Sequence, residues 1–144
     1  MRNLLIICAI AVGFIACEKD AGEGGTSLIE GDVIYFVRSW NSTTLTTDTL
    51  YYPKAGKDVY IIYSDDEGAV YDDKFETDFN GKYHFEFLRK GDYTVMTYVD
   101  SFIYNDLGGP IATYDYPIFK HIKITDNNSV NTVSDFVIEK KISE

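Results

Sequence analysis

The chain is predicted to be all-β, folded as one antiparallel seven-stranded sandwich. Three observations predict this. From Ser27 onward apolar residues recur with period two, in runs rich in Tyr, Val, Ile, Phe and Thr. No stretch there sustains a 3.6-residue apolar period, so amphipathic helices are not expected. The runs are short and separated by clusters of Gly, Asn and Asp, the spacing of a sandwich rather than of alternating strands and helices. With 144 residues, the chain has the length of a single domain. Its 45% hydrophobic and 25% charged content excludes disorder along the whole length. A net charge of -10 argues against a nucleic-acid binder, which needs clustered Lys and Arg.

The strands follow in order. Val33, Tyr35 and Val37 alternate with Ile34, Phe36 and Arg38, which predicts a first strand. Ser39 to Lys57 is polar and threonine-rich, and is expected to be an edge strand plus loop. Val59, Ile61 and Tyr63 share a face of the next strand, and Lys74 to Thr77 forms a short one. Asp78-Phe79-Asn80-Gly81 then places Asn and Gly where a tight hairpin needs positive φ. Tyr83, Phe85 and Phe87 are expected to face the core, opposite Lys82, His84 and Glu86. Arg89-Lys90-Gly91-Asp92 turns the chain into the strand of Tyr93, Val95, Thr97 and Val99. Ser101 to Pro117 reads as irregular, because Gly108-Gly109-Pro110 interrupts it and Pro117 discourages a central strand. Ile118 to Ile124 and Val130 to Glu139 complete the set, with a turn at Asp126-Asn127-Asn128.

Gly81, Tyr83, Phe85, Leu88, Gly91, Tyr93 and Val95 spell G-x-Y-x-F-x-x-L-x-x-G-x-Y-x-V. This resembles the signature of prealbumin-like sandwiches, including the carboxypeptidase regulatory-like domain and the collagen-adhesin B-type repeat. Gly31-Asp32-Val33, Ala55 to Val59 and Val133 to Glu139 resemble the first, second and closing strands, so the likeness spans Leu28 to Lys140. It implies a fold and says little of function. The Lys–Asn crosslink of the adhesin repeats is not expected, since Asp32 to Val37 has no Lys and Phe136 to Glu139 no Asn. The transthyretin-like hydrolases carry a C-terminal Tyr-Arg-Gly-Ser. This chain ends Lys140-Lys141-Ile142-Ser143-Glu144, so that activity is not expected either.

The N-terminus reads as an address. Met1-Arg2-Asn3 is basic, and Leu4 to Ala16 is a thirteen-residue run without charge, shorter than the roughly 20 residues of a membrane span. Phe14-Ile15-Ala16-Cys17 resembles a bacterial lipoprotein signal, with Phe14 where Leu is usual. The resemblance implies removal of residues 1–16 and acylation of Cys17, several acyl chains anchoring firmly. A secretory signal that happens to contain Cys is the alternative. Removing that segment takes Arg2 alone among charged residues, so the mature net charge becomes -11. It also takes Cys8, leaving no disulfide partner. Residues 17–26 include Glu18-Lys19-Asp20-Ala21-Gly22-Glu23-Gly24-Gly25, expected as a flexible linker before a domain at 27–144. Lys19-Asp20 after the cysteine also resembles, in part, the surface-export signal of Bacteroidetes lipoproteins. Asp48-Thr49-Leu50 resembles their O-glycosylation motif.

Candidate chemistry is sparse. His84 and His121 are the only histidines, and both are expected to face solvent rather than ligate zinc. Asp65, Asp66, Glu67, Asp72 and Asp73 bracket one hairpin and could begin a calcium shell, or simply keep the turn solvated. No G-x-S-x-G is present. The surplus is the twelve Tyr, with Trp40. Trp40, Tyr51, Tyr52, Tyr104, Tyr114 and Tyr116 fall in the two irregular segments, where they are the candidate ligand-binding residues. The expected function is that of a non-catalytic lipoprotein, needing no cofactor. It is held on the outer membrane of a Gram-negative cell, at its surface, and binds a glycan, a host protein or a neighbouring envelope protein. The alternative is a structural spacer or assembly subunit.

Overall fold

The structure, a computed structural model, describes residues 20–104 and 110–140. These form nine strands and no helix: β1 (Glu23–Asn41), β2 (Thr46–Pro53), β3 (Asp58–Ile62), β4 (Asp73–Glu76), β5 (Lys82–Leu88), β6 (Gly91–Tyr104), β7 (Pro110–Ile124), β8 (Val130–Thr132) and β9 (Phe136–Glu139). One sheet has β1 at its centre, with β2 and β5 antiparallel to it and β8 and β9 parallel to it. The other is antiparallel in the order β4-β3-β6-β7. The inner faces share one buried cluster, including Ile29 and Val33 from β1, Val59 and Ile61 from β3, and Tyr83 and Phe85 from β5. Tyr93 and Val95 from β6 and Phe136 and Ile138 from β9 belong to the same cluster, a sandwich-like arrangement. The period-two pattern is that of half-buried strands, and the all-β expectation holds for the described residues.

Several expectations are corrected. The described residues form nine strands where seven are expected, and one sheet is mixed. The segment Val130 to Glu139 supplies two short strands, each parallel to a different part of β1. β1 begins at Glu23, so residues 20–26 are not a free linker. The Tyr93 hydroxyl accepts from the Gly22 amide at 2.9 Å and donates to the Arg89 carbonyl at 2.7 Å. Arg89 donates in turn to the carbonyls of Asp20 and Glu23. A glycine-rich segment can be docked this way because its bare backbone approaches closely; a Cβ on Gly25 would collide with the backbone of Leu88.

The turns at 78–81 and 89–92 do not close hairpins; each carries the chain from one sheet to the other. Gly81 has the expected positive φ of 77°, but Asn80 does not. Asp78 fixes that turn instead, its Oδ1 accepting from the amides of Asn80 and Lys82 at 2.8 and 2.9 Å. Phe87 is not in the core. It has a φ of 59° and is 67% exposed, because the β1–β5 register shifts at this point, with both Glu23 and Ser27 aligned to Leu88. Ser101 to Pro117 is regular strand over its described part. Pro117 is accommodated because β7 lies at the sheet edge.

Candidate functional site

Two hairpins leave the same end of the molecule. The first continues β1 beyond the core and returns as β2, with Phe36 opposite Tyr51, Arg38 opposite Thr49 and Trp40 opposite Thr47. Its tip is built by Asn41, whose Oδ1 accepts from the amides of Thr43 and Thr44 at 3.0 and 3.3 Å. The Leu45 amide then donates to the Asn41 carbonyl at 2.9 Å. The second hairpin is β6–β7, with Val99 opposite Tyr116 and Ser101 opposite Tyr114. The docked segment 20–25 lies at the opposite end, since Ala21 packs beside Gly91 at the beginning of β6.

Alternation sorts the first arm into two faces. Phe36, Arg38 and Trp40 share one face with Tyr51, Thr49 and Thr47. The Phe36 and Tyr51 rings stand 5.6 Å apart, and the Arg38 guanidinium lies 5.3 Å from the Phe36 ring centre. Trp40 and Tyr51 are 64% and 61% exposed, so the face is an open aromatic platform edged by threonine hydroxyls. The other face carries Val37, Leu50 and Tyr52, and continues the core-facing side of Tyr35. On β7, Tyr114 and Tyr116 are exposed, with ring centres 6.2 Å apart. Five of the six expected aromatic residues therefore stand at one end, Trp40, Tyr51 and Tyr52 on one arm and Tyr114 and Tyr116 on the other. The side chain of Tyr104 and all of Cys17 lie outside the described residues.

Between the stems of the arms is a cavity of about 410 Å³ lined by Tyr35, Lys54, Gly56, Lys57, Val99, Asp100, Ile138, Glu139 and Lys140. Burial pushes the Tyr35 hydroxyl above the usual phenol range, with the charge of Asp100 adding to it. The Lys54 ammonium stands 5.7 Å from the centre of the Tyr35 ring. The loop bearing Lys54 and Lys57 is held by buried Thr77. Its Oγ1 accepts from the Lys57 amide at 2.9 Å and donates to the Lys54 carbonyl at 2.7 Å. The Thr77 amide and carbonyl bond Lys57 and Gly56, each at 2.9 Å. These lysines are the residues that sequence reasoning missed. The Lys54-x-x-Lys57 spacing offered a signal, but Lys140 joins them only in three dimensions.

The acidic hairpin gives no metal shell: among the described residues, no three His, Cys, Asp or Glu side chains converge. Its carboxylates are dispersed. Asp66 accepts from the Gly68 amide, Asp72 from Tyr63 and Asp73 from Lys74. Glu67 stands 2.9 Å from His121 Nε2, fastening the loop across β7. His121 is therefore engaged rather than simply solvated, and half-exposed His84 lies against the Phe75 ring at 4.5 Å. Glu67, His121 and Thr94 form a chain, with Thr94 Oγ1 at 3.0 Å from His121 Nδ1. It offers no nucleophile: Thr94 is fully buried, and its hydroxyl proton goes to the Ser64 carbonyl at 2.8 Å.

No family model and no curated protein matches the chain. Among solved structures, a candidate carbohydrate binding protein from Pseudomonas aeruginosa is similar over 83% of this chain and 92% of its own. The identity is 14% and the TM-score 0.46. A likeness of that size carries no conclusion about fold or function.

Proposed function

We propose that the protein is a non-catalytic envelope lipoprotein, anchored through Cys17, that binds glycans at the end bearing its two arms. The observation that carries this reading is four exposed aromatic residues at that end, Trp40 and Tyr51 on the outer face of one arm and Tyr114 and Tyr116 on the Val99 side of the other. Aromatic faces beside threonine hydroxyls suit sugars, whose rings present CH groups on one side and hydroxyls around the rim. The sandwich is read as prealbumin-like, as the motif from Gly81 to Val95 implies, with the bacterium one of the Bacteroidetes and the domain facing outward. The docked segment 20–25 supports a fixed orientation. Asp20 follows Cys17 by three residues, which span at most about 11 Å. The body then sits close to the lipid surface, and the arms rather than a linker supply the reach.

The test has two parts. Labelling with an alkyne fatty acid should mark the chain and not Cys17→Ala, and protease shaving of intact cells should digest the domain. A glycan array probed with the protein should give binding that Trp40→Ala and Tyr51→Ala weaken. Array silence with a chain that folds and is labelled refutes the glycan reading. An assembly subunit is the second reading, favoured by β7, a fifteen-residue strand at the sheet edge. It predicts a stoichiometric envelope complex indifferent to the aromatic substitutions.

A further inference from the structure

We infer that the cavity between the arm stems binds an acidic unit of the glycan, a sugar carrying carboxylate or sulfate, with Lys54, Lys57 and Lys140 receiving the anion. The inference rests on the glycan-binding reading and adds the ligand's chemical class. Charge is the first argument. The chain carries a net -10, yet three lysines meet at one cavity. Arg38, Lys74, Lys82 and Lys123 each pair with a carboxylate. Among the described residues, Lys54, Lys57 and Lys140 make no ion pair.

The acids nearby do not cancel them. Glu139 is held by Arg38 at 3.4 Å. Glu76 stands by Gly56, and Asp100 is itself a lining residue. Among the side chains that line the cavity, three ammonium groups meet two carboxylates, Asp100 and the paired Glu139, a local excess that attracts an anion to this part of an acidic protein.

Pre-organisation is the second argument. Four hydrogen bonds to Thr77 fix the loop 54–57, and Gly56 takes a φ of 67° that most residues avoid. Long side chains on a rigid loop lose less freedom on binding than the same groups on a mobile one. Lys140 is brought in by its own amide, which donates to the Phe36 carbonyl at 2.8 Å and extends the β9–β1 pairing. Val99 and Ile138 supply apolar wall, while Asp100 can accept from sugar hydroxyls. Asp100 also stands directly opposite Asp115, a cross-strand pairing of like charges that costs stability. Lysine ammoniums are point charges rather than planar forks, so the site accommodates the geometry of either anion.

The test is calorimetry of the full chain, purified in detergent, against tetragalacturonate, a sulfated tetrasaccharide and a neutral tetrasaccharide. At least one acidic ligand should bind about tenfold more tightly than the neutral one, the scale of one or two charge-assisted contacts after solvent screening. Whether tetragalacturonate or the sulfated sugar binds tighter identifies the anion. Lys57→Gln and Lys140→Gln should each weaken acidic binding about three- to tenfold and affect the neutral ligand less. Thr77→Val keeps every charge but frees the loop, and should weaken acidic binding too; its folding is checked by circular dichroism. Equal affinity for acidic and neutral sugars, or indifference to the lysine substitutions, overturns the inference while the glycan reading stands. Absence of binding to any sugar, here and on the array, removes both.

Discussion

Tyr93→Phe should release the segment 20–23 from the sandwich. The ring is fully buried, and its hydroxyl is the centre of the contact that docks residues 20–23. It accepts from the buried Gly22 amide at 2.9 Å and donates to the partly buried Arg89 carbonyl at 2.7 Å. The substitution keeps the ring packed but strands both groups. A buried polar group left without a partner costs about 1–3 kcal/mol, and the Arg89 carbonyl, nearer water, falls at the low end. The expected loss is therefore about 2–4 kcal/mol, read as a lower urea midpoint with an unchanged slope. Hydrogen exchange adds a local readout: the Gly22 amide should lose protection more than amides of β3. Tyr60→Phe is the control. Its hydroxyl makes one long bond of 3.4 Å to Asp58, and its removal should cost less than about 0.5 kcal/mol. A Tyr93→Phe loss no larger than that of the control, with Gly22 still protected, would refute the reasoning.

Tyr83→Phe should act in the opposite sense. The Tyr83 hydroxyl is buried with no hydrogen-bond partner, so removing it should raise stability by about 1 kcal/mol; a clear loss on chemical unfolding would show that the hydroxyl is satisfied in solution. Gly25→Ala should destabilise by about 1–3 kcal/mol or more, because the new methyl meets the Leu88 backbone, and an unchanged thermal midpoint would show that β5 can yield. Asp115→Asn should stabilise by about 0.2–1 kcal/mol by relieving the opposed Asp100, with the gain shrinking in high salt if the cause is charge. Alkaline pH should weaken the fold. Burial raises the Tyr83 and Tyr93 hydroxyls above the ordinary phenol range, so the folded chain keeps protons that the unfolded chain releases above about pH 10. This stability is complete below about pH 10 and falls by roughly 1.4 kcal/mol per pH unit for each such residue as pH rises toward the folded values. Phenolate absorbance should lag for part of the twelve tyrosines, and a single titration of all twelve near pH 10 would contradict it.

The sequence by itself determined what is local. Period-two alternation put Tyr83, Phe85, Tyr93 and Val95 inward, and gave Val33 and the pair Val59 and Ile61 a single face of their strands; all seven are buried. The aromatic residues of the two polar segments were picked out from composition, and five have described side chains at one end of the fold. Sheet membership was not legible, because a four-residue turn has the same local chemistry whether it closes a hairpin or crosses between sheets. Which strand lies alongside is settled by partners far away in the chain. Thus Lys82 pairs with Asp32 of β1 rather than with β4, and Val130 to Glu139 divides between two parts of the same strand. Phe87 obeyed the alternation and was still turned outward, since a register shift against Ser27 reverses a face without altering the pattern. The lysine-lined cavity needed the tertiary structure for the same reason. Lys54 and Lys57 are neighbours in the chain, but Lys140 reaches them only because β9 runs parallel to β1 and ends at its stem.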